Sequence, residues 1–276
     1  VRQEAVVESL DAKTIYAVPV LMQNEGLDQV VLEKLGLPLQ GESDLKNWKE
    51  FLSKLEYPKK EVEIGLIGKY VELKDAYKSI VEAFIHAGAE NECHVKLKWI
   101  HSESLSEHEM SEQIKGLNGV LVAPGFGNRG FEGKLEAVRY AREEGIPFLG
   151  ICLGMQAAVI EYARNVLGLV GAHSTEMDAS AKHPVIDLME DQKEISDKGG
   201  TMRLGAYDCV LKEGSKAAEV YKRKEINERH RHRYEYNNVY KDQLTEAGLI
   251  ASGMNPETGL VEIVELERHP WFLGVQ

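Results

Sequence analysis

From residue 62 to residue 167, short apolar strands alternate with longer amphipathic helices, and this pattern restricts the fold more than any other feature of the chain. The predicted strands are Val62–Ile67, Val95–Ile100, Gly119–Val122 and Pro147–Ile151, and the predicted helices are Asp75–Ala87, Glu107–Leu117, Glu132–Glu144 and Leu153–Leu167. Alternation of strand and helix with short loops predicts a parallel sheet covered by helices on both faces. We therefore expect an α/β fold with a doubly wound, mostly parallel sheet.

The two ends of the chain follow other patterns. After Gly199 the pattern changes to strands, which we expect to extend the sheet or to form a small side sheet. They are Thr201–Leu204, Cys209–Leu211, Tyr234–Tyr236, Leu249–Met254, Val261–Leu266 and Trp271–Val275. Before residue 60, Val20–Leu35 predicts an amphipathic helix and Lys46–Leu55 a shorter one. We place a domain boundary there, which separates residues 1–60 from an α/β domain over residues 61–276.

Composition argues against several classes of protein. The formal net charge is -12, whereas nucleic-acid-binding proteins usually present a basic face. No apolar run approaches the roughly 20 residues of a membrane span, and no signal peptide is visible. The cysteines Cys93, Cys152 and Cys209 have no CxxC spacing, which argues against a disulfide framework or a structural zinc site. We expect a cytoplasmic protein with no metal site that binds neither nucleic acid nor membrane.

The stretch Pro147–Gln156 carries the strongest chemical signal. A buried strand leads directly into Gly-Ile-Cys-Leu-Gly and then into a helix, which is the cysteine version of a nucleophile elbow. Such a turn lifts the side chain of Cys152 above the carboxyl end of the sheet, where α/β folds bind their ligands. It also places the sulfur at a helix N-terminus, whose dipole favours the thiolate. A lone cysteine is more often an inert core residue, but the flanking glycines favour a nucleophile here.

A second glycine-rich loop, residues 123–130, also follows a predicted strand and precedes a predicted helix. Loops of this kind aim backbone N–H groups at an anion. Together with the N–H of Leu153, this loop is suited to form an oxyanion hole. The alternatives are a flexible loop or a phosphate loop, and the missing Gly-Lys-Ser/Thr spacing argues against a P-loop.

Read in order along the chain, several motifs resemble the CTP synthase family, which contains a class I glutamine amidotransferase domain. They are Gly125–Gly130, Gly150–Gln156, Ser174–Glu176, Gly199–Gly205, Glu228–Glu235 and His269–Phe272. The elbow alone matches many class I amidotransferases, but Gly-Gly-Thr-Met-Arg-Leu-Gly and Arg-His-Arg-His-Arg-Tyr-Glu are far more specific to this family. The resemblance covers essentially the whole chain. It implies that residues 1–60 are the tail of an amidoligase domain with its linker, and that residues 61–276 are an amidotransferase domain that is incomplete at its C-terminus.

The resemblance implies an enzyme that hydrolyses glutamine. Cys152 would attack the side-chain amide and release ammonia, and water would hydrolyse the resulting glutamyl thioester. The backbones of Gly125 and Leu153 would hold the oxyanion. Gly154 and Met155 complete this part of the implied glutamine-binding site.

Five further positions are implied by the same resemblance. Gln156 and Glu176 would bind the amino-acid end of glutamine, and Arg233 would meet its carboxylate in a charge-assisted contact. Phe126 and Arg203 would lie in or near a lid loop linked to activation by GTP. Without the resemblance, Glu176 is interpreted as an ordinary exposed carboxylate and Arg203 as a cation in a loop. The basic cluster from His230 to Arg233 is then a solvated patch or a phosphate site.

The resemblance also implies the remainder of the reaction. Ammonia would pass to a separate amidoligase site that aminates UTP with ATP and Mg²⁺, and GTP would act as an allosteric activator. No cofactor is expected in this chain itself. Its implied partners are glutamine and its own amidoligase domain, and the full-length enzyme is expected to be a homotetramer.

The expected catalytic base is not in the sequence. In class I amidotransferases, a His-Pro-Glu segment follows a strand like Phe272–Val275, and this sequence stops at Gln276. His269 precedes Pro270 and Trp271 rather than a Pro-Glu pair, and we interpret it as structural. The first residue is not Met, so we expect an excerpt of a longer chain. A polypeptide that truly ended at Gln276 would have almost no glutaminase activity, since it would lack both the base and its orienting carboxylate.

Two other functions remain open from the sequence. One is a different cysteine hydrolase on a similar fold, related to γ-glutamyl hydrolases or DJ-1-like proteins, although it would not explain Gly-Gly-Thr-Met-Arg-Leu-Gly. The other is a non-catalytic assembly or regulatory module, which a replaced His-Pro-Glu segment would support.

Overall fold

The computed structural model describes residues 2–38, 41, 43–103, 107–188 and 202–276. The chain divides into two compact units. The first unit is the N-terminal part up to Val62 together with Tyr77–Lys96, and the second unit consists of Glu63–Ala76 and Leu97–Gln276. None of the helices in the described ranges has the length and apolar character needed to cross a bilayer.

The first unit is largely helical. Its helices are α1 (Val18–Asn24), α2 (Leu27–Leu35), α3 (Lys46–Glu56) and α4 (Lys78–Glu90). The prediction of a single helix over Val20–Leu35 is wrong, because the helix is interrupted at Gly26. The φ of Gly26 is 74°, in the left-handed region that glycine tolerates. The predicted helix Lys46–Leu55 is confirmed as α3.

The second unit is built on a large mixed sheet. The strands of the chain are β1 (Lys60–Gly68), β2 (Cys93–His101), β3 (Gly119–Val122), β4 (Phe148–Ile151), β5 (Ala172–Ser174), β6 (His183–Asp187), β7 (Arg203–Leu211), β8 (Glu225–His232), β9 (Glu235–Tyr236), β10 (Leu249–Met254), β11 (Val261–Leu266) and β12 (Phe272–Val275). The strand order of the main sheet is β2-β1-β3-β4-β12-β11-β10-β7-β8. Strands β1, β3, β4 and β12 are parallel neighbours, whereas β12, β11, β10, β7 and β8 pair antiparallel.

Helices cover this sheet and bury its central strands. They are α5 (Glu107–Ile114), α6 (Phe131–Glu143), α7 (Leu153–Asn165), α8 (Lys216–Tyr221) and α9 (Lys241–Glu246). Strand β3 is buried along its whole length, and α7 is buried from Leu153 to Ala163, so this strand and this helix form the centre of the core. The predicted α/β fold with a large sheet flanked by helices is confirmed.

The C-terminal strands realise both of the predicted arrangements. Strands β7, β8, β10, β11 and β12 extend the main sheet, whereas β9 joins β5 and β6 in a separate three-stranded sheet. The predicted strands Thr201–Leu204 and Cys209–Leu211 are one continuous strand from Arg203 to Leu211, and residue 201 lies outside the described part of the chain.

The sequence pattern missed strand β8. The segment was interpreted as a basic patch, but its burial alternates with period two, as in a strand with one face in the core. His230 and His232 are buried, whereas Arg229 and Arg231, which alternate with them, are exposed. Histidine in place of an aliphatic residue hid the alternation.

Candidate active site

Cys152 lies at the turn between β4 and α7 in a conformation that few residues adopt. Its φ is 54° and its ψ is -106°. A non-glycine residue in such a region costs on the order of 1–3 kcal/mol and persists only when its surroundings hold it. Two backbone hydrogen bonds do so here: the N–H of Cys152 donates to Val275 O at 2.8 Å, and Cys152 O accepts from the N–H of Gln156 at 3.1 Å. The predicted elbow is therefore present, with its strain located at the sulfur-bearing residue.

The glycines that flank Cys152 allow strand and helix to approach each other. An ideal Cβ on Gly154 would lie 2.2 Å from Val122 O, and one on Gly150 would lie 2.6 Å from the carbonyl carbon of Gly154. On the neighbouring strand β12, a Cβ on Gly274 would lie 3.1 Å from Met155 Cγ. No side chain fits at the first two positions, which explains the Gly-x-Cys-x-Gly spacing.

The sulfur of Cys152 is half-buried, and its surroundings act on its ionisation in opposite directions. Burial is the largest effect, and it raises the pKa of the thiol above its ordinary value. Hydrogen bonds from the N–H of Leu153 and from the side chain of Gln276 lower this pKa but do not offset burial. The N–H of Leu153 at the helix N-terminus does favour the thiolate, but burial outweighs this effect, so the pKa of Cys152 is raised overall.

Charged side chains also act on Cys152. Lys134 lowers the pKa of the thiol by attraction, and Glu176 raises it by repulsion. Both act less than burial does. Positive charge at Lys134 therefore adds to the two hydrogen bonds that favour the thiolate.

The glycine-rich loop after β3 lies next to the start of α7, as the sequence predicted. A Cβ on Gly125 would lie 3.5 Å from Leu153 Cδ2, so the loop at Gly125 packs against the side chain of the first residue of α7. The loop is held from one side by Glu176, whose Oε1 accepts from the N–H of Gly127 at 2.7 Å. Phe126 is 49% exposed, so its ring is available at the surface.

Two buried lysines hold the same loop, and the sequence analysis missed both. The Nζ of Lys134, on α6, donates to Ala123 O at 2.6 Å, and the Nζ of Lys69 donates to Phe126 O. Lys134 is fully buried and Lys69 is 6% exposed. The signal that was available is periodicity, since Lys134 falls three residues after the buried Phe131 and belongs to the apolar face of α6.

Gln156 connects α7 to the end of β8. It is buried, and its Nε2 donates to Tyr234 O at 3.1 Å and to Gln276 Oε1 at 3.2 Å. Its own Oε1 has no hydrogen-bond partner among the described residues. Arg233 precedes Tyr234 and is half-buried, so the backbone that bears it contacts the helix of the elbow.

Glu176 lies in the turn after β5, where its N–H donates to Ser174 Oγ at 3.2 Å. It is half-buried and close enough to Cys152 and Tyr234 to raise the pKa of both groups by repulsion. The structure thus gathers Cys152, the loop with Gly125, Gln156, Glu176 and the Arg233–Tyr234 segment around the carboxyl ends of β3 and β4.

Arg203 is the first residue of β7, within the predicted strand Thr201–Leu204, and it is only 5% exposed. The position in a lid loop that the family resemblance implied is wrong, because the side chain is buried in a strand. Its Nη1 lies 3.3 Å from Glu235 Oε1 and 2.9 Å from Glu262 Oε1, and its guanidinium stacks 4.2 Å from the ring centre of Tyr207. The predicted lid residues Gly199, Gly200 and Thr201 lie outside the described residues.

Two buried histidines belong to the Arg203 network. His230 Nδ1 and His232 Nε2 lie 2.9 Å apart, and His230 Nδ1 lies 3.5 Å from Glu262 Oε2. Burial, followed by repulsion from Arg203, lowers the pKa of His230 to about 4. The spacing of the two imidazoles and Glu262 would suit a metal ion, but the guanidinium of Arg203 already neutralises that carboxylate. The sequence signal for this network was a glutamate inside the apolar run of β11.

His269 does not belong to the site. Its Nε2 lies 3.1 Å from Ala141 O, and its Nδ1 accepts from the N–H of Trp271 at 3.1 Å. Both ring nitrogens are engaged in holding the start of β12, so the interpretation of His269 as structural is confirmed.

The fold and the turn at Cys152 place the chain among α/β proteins that carry a cysteine between a central strand and the following helix. The family model for "Glutamine amidotransferase class-I" matches residues 72–276. The chain belongs to the class I glutamine amidotransferase family.

Known proteins that are similar to this chain carry the name CTP synthase. The chain is 64% identical over its full length to a protein named CTP synthase from Christiangramia forsetii, and it is 64% identical to one from Flavobacterium psychrophilum. It covers 50% of the first and 51% of the second, so it spans about half the length of these curated relatives. The resemblance predicted from the motifs is confirmed.

A solved structure agrees with this result. The glutaminase domain of Trypanosoma brucei CTPS, determined with bound acivicin, superposes with a TM-score of 0.73 at 37% sequence identity. The match covers 78% of this chain and 84% of that one. This similarity favours an amidotransferase over the other cysteine hydrolases that the sequence left open.

Proposed function

We propose that this chain is the glutamine-hydrolysing part of a CTP synthase and that Cys152 is its nucleophile. The observation that carries the proposal is the strained backbone of Cys152, with φ 54° and ψ -106°, held at the junction of β4 and α7. Strain of this kind is kept where it serves a function. Among the described cysteines, Cys209 is buried in β7 and Cys93 lies in the ordinary strand β2.

The chemistry follows from the groups around the sulfur. The thiolate of Cys152 attacks the side-chain carbonyl carbon of glutamine, and the carbonyl electrons move onto the oxygen. The N–H groups of Gly125 and Leu153 stabilise this oxyanion. The tetrahedral intermediate collapses as the C–N bond breaks, a proton goes to the leaving nitrogen, and ammonia departs. Water then adds to the thioester, which releases glutamate and returns the thiolate.

The raised pKa of Cys152 means that this reaction needs a base. By resemblance to the family, we propose a histidine of a His-Pro-Glu segment that follows β12, oriented by the glutamate of that segment. Because the N–H of Cys152 donates to Val275 O, the end of β12 lies directly beside the nucleophile.

We propose that three side chains near the sulfur of Cys152 recognise glutamine, namely those of Glu176, Arg233 and Gln156. Glu176 carries the negative charge that suits the α-ammonium group, and Arg233 supplies the cation for the α-carboxylate. Gln156 has an unused buried acceptor in its Oε1, so a donor of the substrate would satisfy it. Gly154 and Met155 form the base of the proposed glutamine-binding site, since they pack α7 against β3 and β12.

For the whole protein, we propose that ammonia released at Cys152 serves the ATP- and Mg²⁺-dependent amination of UTP to CTP. This reaction would take place on an amidoligase domain to which residues 1–60 contribute the C-terminal tail, within a cytoplasmic homotetramer. Of the two residues proposed for activation by GTP, Phe126 is exposed and offers a ring to a nucleotide. Arg203 is buried in ion pairs, so we propose that it acts through its strand rather than by direct contact.

Covalent labelling tests the nucleophile. The full-length gene product is treated with a chloroketone analogue of glutamine, and the modified cysteine is located by peptide mass spectrometry. We expect Cys152 to be modified, glutamine to protect it, and Cys152→Ala to lose both labelling and glutaminase activity. Cys209→Ser is the matched control, and it should retain both. Modification of Cys93 or Cys209 in place of Cys152 would overturn the proposal.

A further inference from the structure

Lys134 carries a buried amino group for which the described residues supply no acidic partner. Its side chain is fully buried, and its Nζ donates to the carbonyl oxygen of Ala123 at 2.6 Å. Among the residues that the structure describes, no carboxylate lies within ion-pair distance of this nitrogen. Burying an ammonium without a partner is costly, so a site that keeps one needs a reason.

The position of the Lys134 ammonium supplies that reason. The nitrogen lies 3.6 Å from the point where a Cβ on Gly125 would be, and the same point is 3.5 Å from Leu153 Cδ2. The ammonium is therefore behind the oxyanion loop and next to the first residue of α7. Cys152 precedes that residue, and the two side chains are close enough for charge on one to change the pKa of the other.

We propose, on the basis of the function proposed above, that Lys134 is a positioning residue whose ammonium stabilises the thiolate of Cys152 and fixes the loop that bears Gly125. The thiolate is then the missing counter-ion of Lys134. The pair is neutral or singly charged while Cys152 is a thiol, and becomes an ion pair when the sulfur loses its proton.

The other charges around this pair decide how it titrates. Burial and then repulsion from Lys69 lower the pKa of Lys134 to about 7, and the Cys152 thiolate raises it. Glu176 opposes ionisation of Cys152 from the other side of the loop. Lys69 is itself influenced by Arg129 and by the carboxylates Glu176 and Glu103. Lys134 is the cation that acts directly on the sulfur, whereas Lys69 acts on Lys134.

A purely structural role for Lys134 is separable from this electrostatic one. Lys134→Met removes both the charge and the hydrogen bond to Ala123. Lys134→Gln keeps a donor but no charge, and Lys134→Arg keeps the charge. If the hydrogen bond alone mattered, Lys134→Gln would behave like the wild type.

The test is the pH dependence of iodoacetamide modification at each cysteine, read by mass spectrometry on the full-length gene product. For Lys134→Met and Lys134→Gln we expect the Cys152 profile to move to higher pH by about one unit or more, as for loss of a nearby opposite charge. Lys134→Arg should remain close to the wild type. The matched control is Lys69→Met, which should leave the profile in place or move it to lower pH, since Lys134 then holds its proton more firmly. Cys93 serves as an internal reference.

Superimposable Cys152 profiles for the wild type, Lys134→Met and Lys134→Gln would overturn the inference. Thermal unfolding of each variant identifies any that fail to fold, and whichever of the two uncharged variants, Lys134→Met or Lys134→Gln, retains the wild-type unfolding temperature then decides the question. Iodoacetamide reports the thiol without requiring glutamine to bind. A shifted profile together with no labelling by the glutamine analogue would therefore refute the glutaminase and not the electrostatic pair.

Discussion

Replacing Gly154 by Ala tests whether the approach of α7 to β3 sets the position of the nucleophile. The added Cβ would lie 2.2 Å from Val122 O and 3.1 Å from the Val122 carbonyl carbon, so both sides of the clash are backbone. A carbon–oxygen contact of about 3.3 Å requires the start of α7 to move by about 1 Å. That turn carries the N–H of Leu153, which bonds the sulfur of Cys152.

The expected loss has two parts that are measured separately. A shift of about 1 Å at a reacting group can cost on the order of 100-fold in rate, so we expect the glutaminase kcat of the full-length Gly154→Ala protein to fall by roughly that factor. Overpacking typically costs about 1–3 kcal/mol, which urea denaturation would show. At an open helix position, the same substitution would instead stabilise the protein by about 1 kcal/mol.

Gly253→Ala is the matched control for this experiment. On β10, its Cβ would lie 2.7 Å from Cys209 Sγ and 2.7 Å from Ile263 Cγ1, so it also overpacks the core, but three strands away from β4. It should lose stability and keep its kcat. A Gly154→Ala protein whose turnover stays within about twofold of the wild type would refute the argument that this contact positions the elbow.

Two further predictions concern the buried network around Arg203. Arg203→Met leaves the carboxylates of Glu235 and Glu262 without their cation, so urea denaturation should show that the free energy of unfolding falls by about 3–5 kcal/mol. Adding Glu262→Gln should recover part of this loss. A fall of less than about 1 kcal/mol would show that the ion pairs of Arg203 are not needed for stability. The pKa of His230 is lowered from 6.5 to about 4 and that of His232 to about 3, mainly by burial, so both are neutral in the folded state. Their contribution is complete above pH 6.5 and is lost as the pH falls towards these values, by about 1.4 kcal/mol per pH unit for each. In acid urea titrations, a His232→Gln variant should therefore lose less stability than the wild type between pH 6.5 and 4, and equal losses would contradict the assignment.

Local patterns were sufficient for the parts of the fold that depend on one element at a time. The four residues of β3 were predicted without error, and the Cys152 elbow follows from glycine spacing alone. The prediction of a single helix over Val20–Leu35 failed for a local reason too, since Gly26 adopts a left-handed conformation in the middle of a continuous apolar stripe. By contrast, the antiparallel pairing of β7 with β8 joins segments whose long-range register no periodicity reveals.

The balance of forces at the sulfur was beyond a sequence argument. Helix position predicts a stabilised thiolate, but desolvation is the larger effect, and it depends on how far α7 sinks between β3 and β12. Arg203 shows the same limit. The strand that begins at Arg203 was predicted, but the ion pairs that bury its side chain against Glu235 and Glu262 join distant segments that no local pattern connects.

Three charged residues lie among the apolar residues of buried elements, and they differ in how their charge is neutralised. They are Glu262 and Glu265 in β11 and Lys134 in α6. In β11, Glu265 accepts from the N–H groups of Lys216 and Ala217 at the start of α8, both at 2.9 Å, and Glu262 is paired with Arg203. Lys134, in α6, has the carbonyl oxygen of Ala123 as its one hydrogen-bond partner among the described residues. A structural charge is best stabilised by a permanent partner, whereas a charge that acts in catalysis is best stabilised by one that appears during the reaction. The lack of a carboxylate beside Lys134 among the described residues therefore fits the role proposed for it at Cys152, because a permanent partner would cancel its effect on the sulfur.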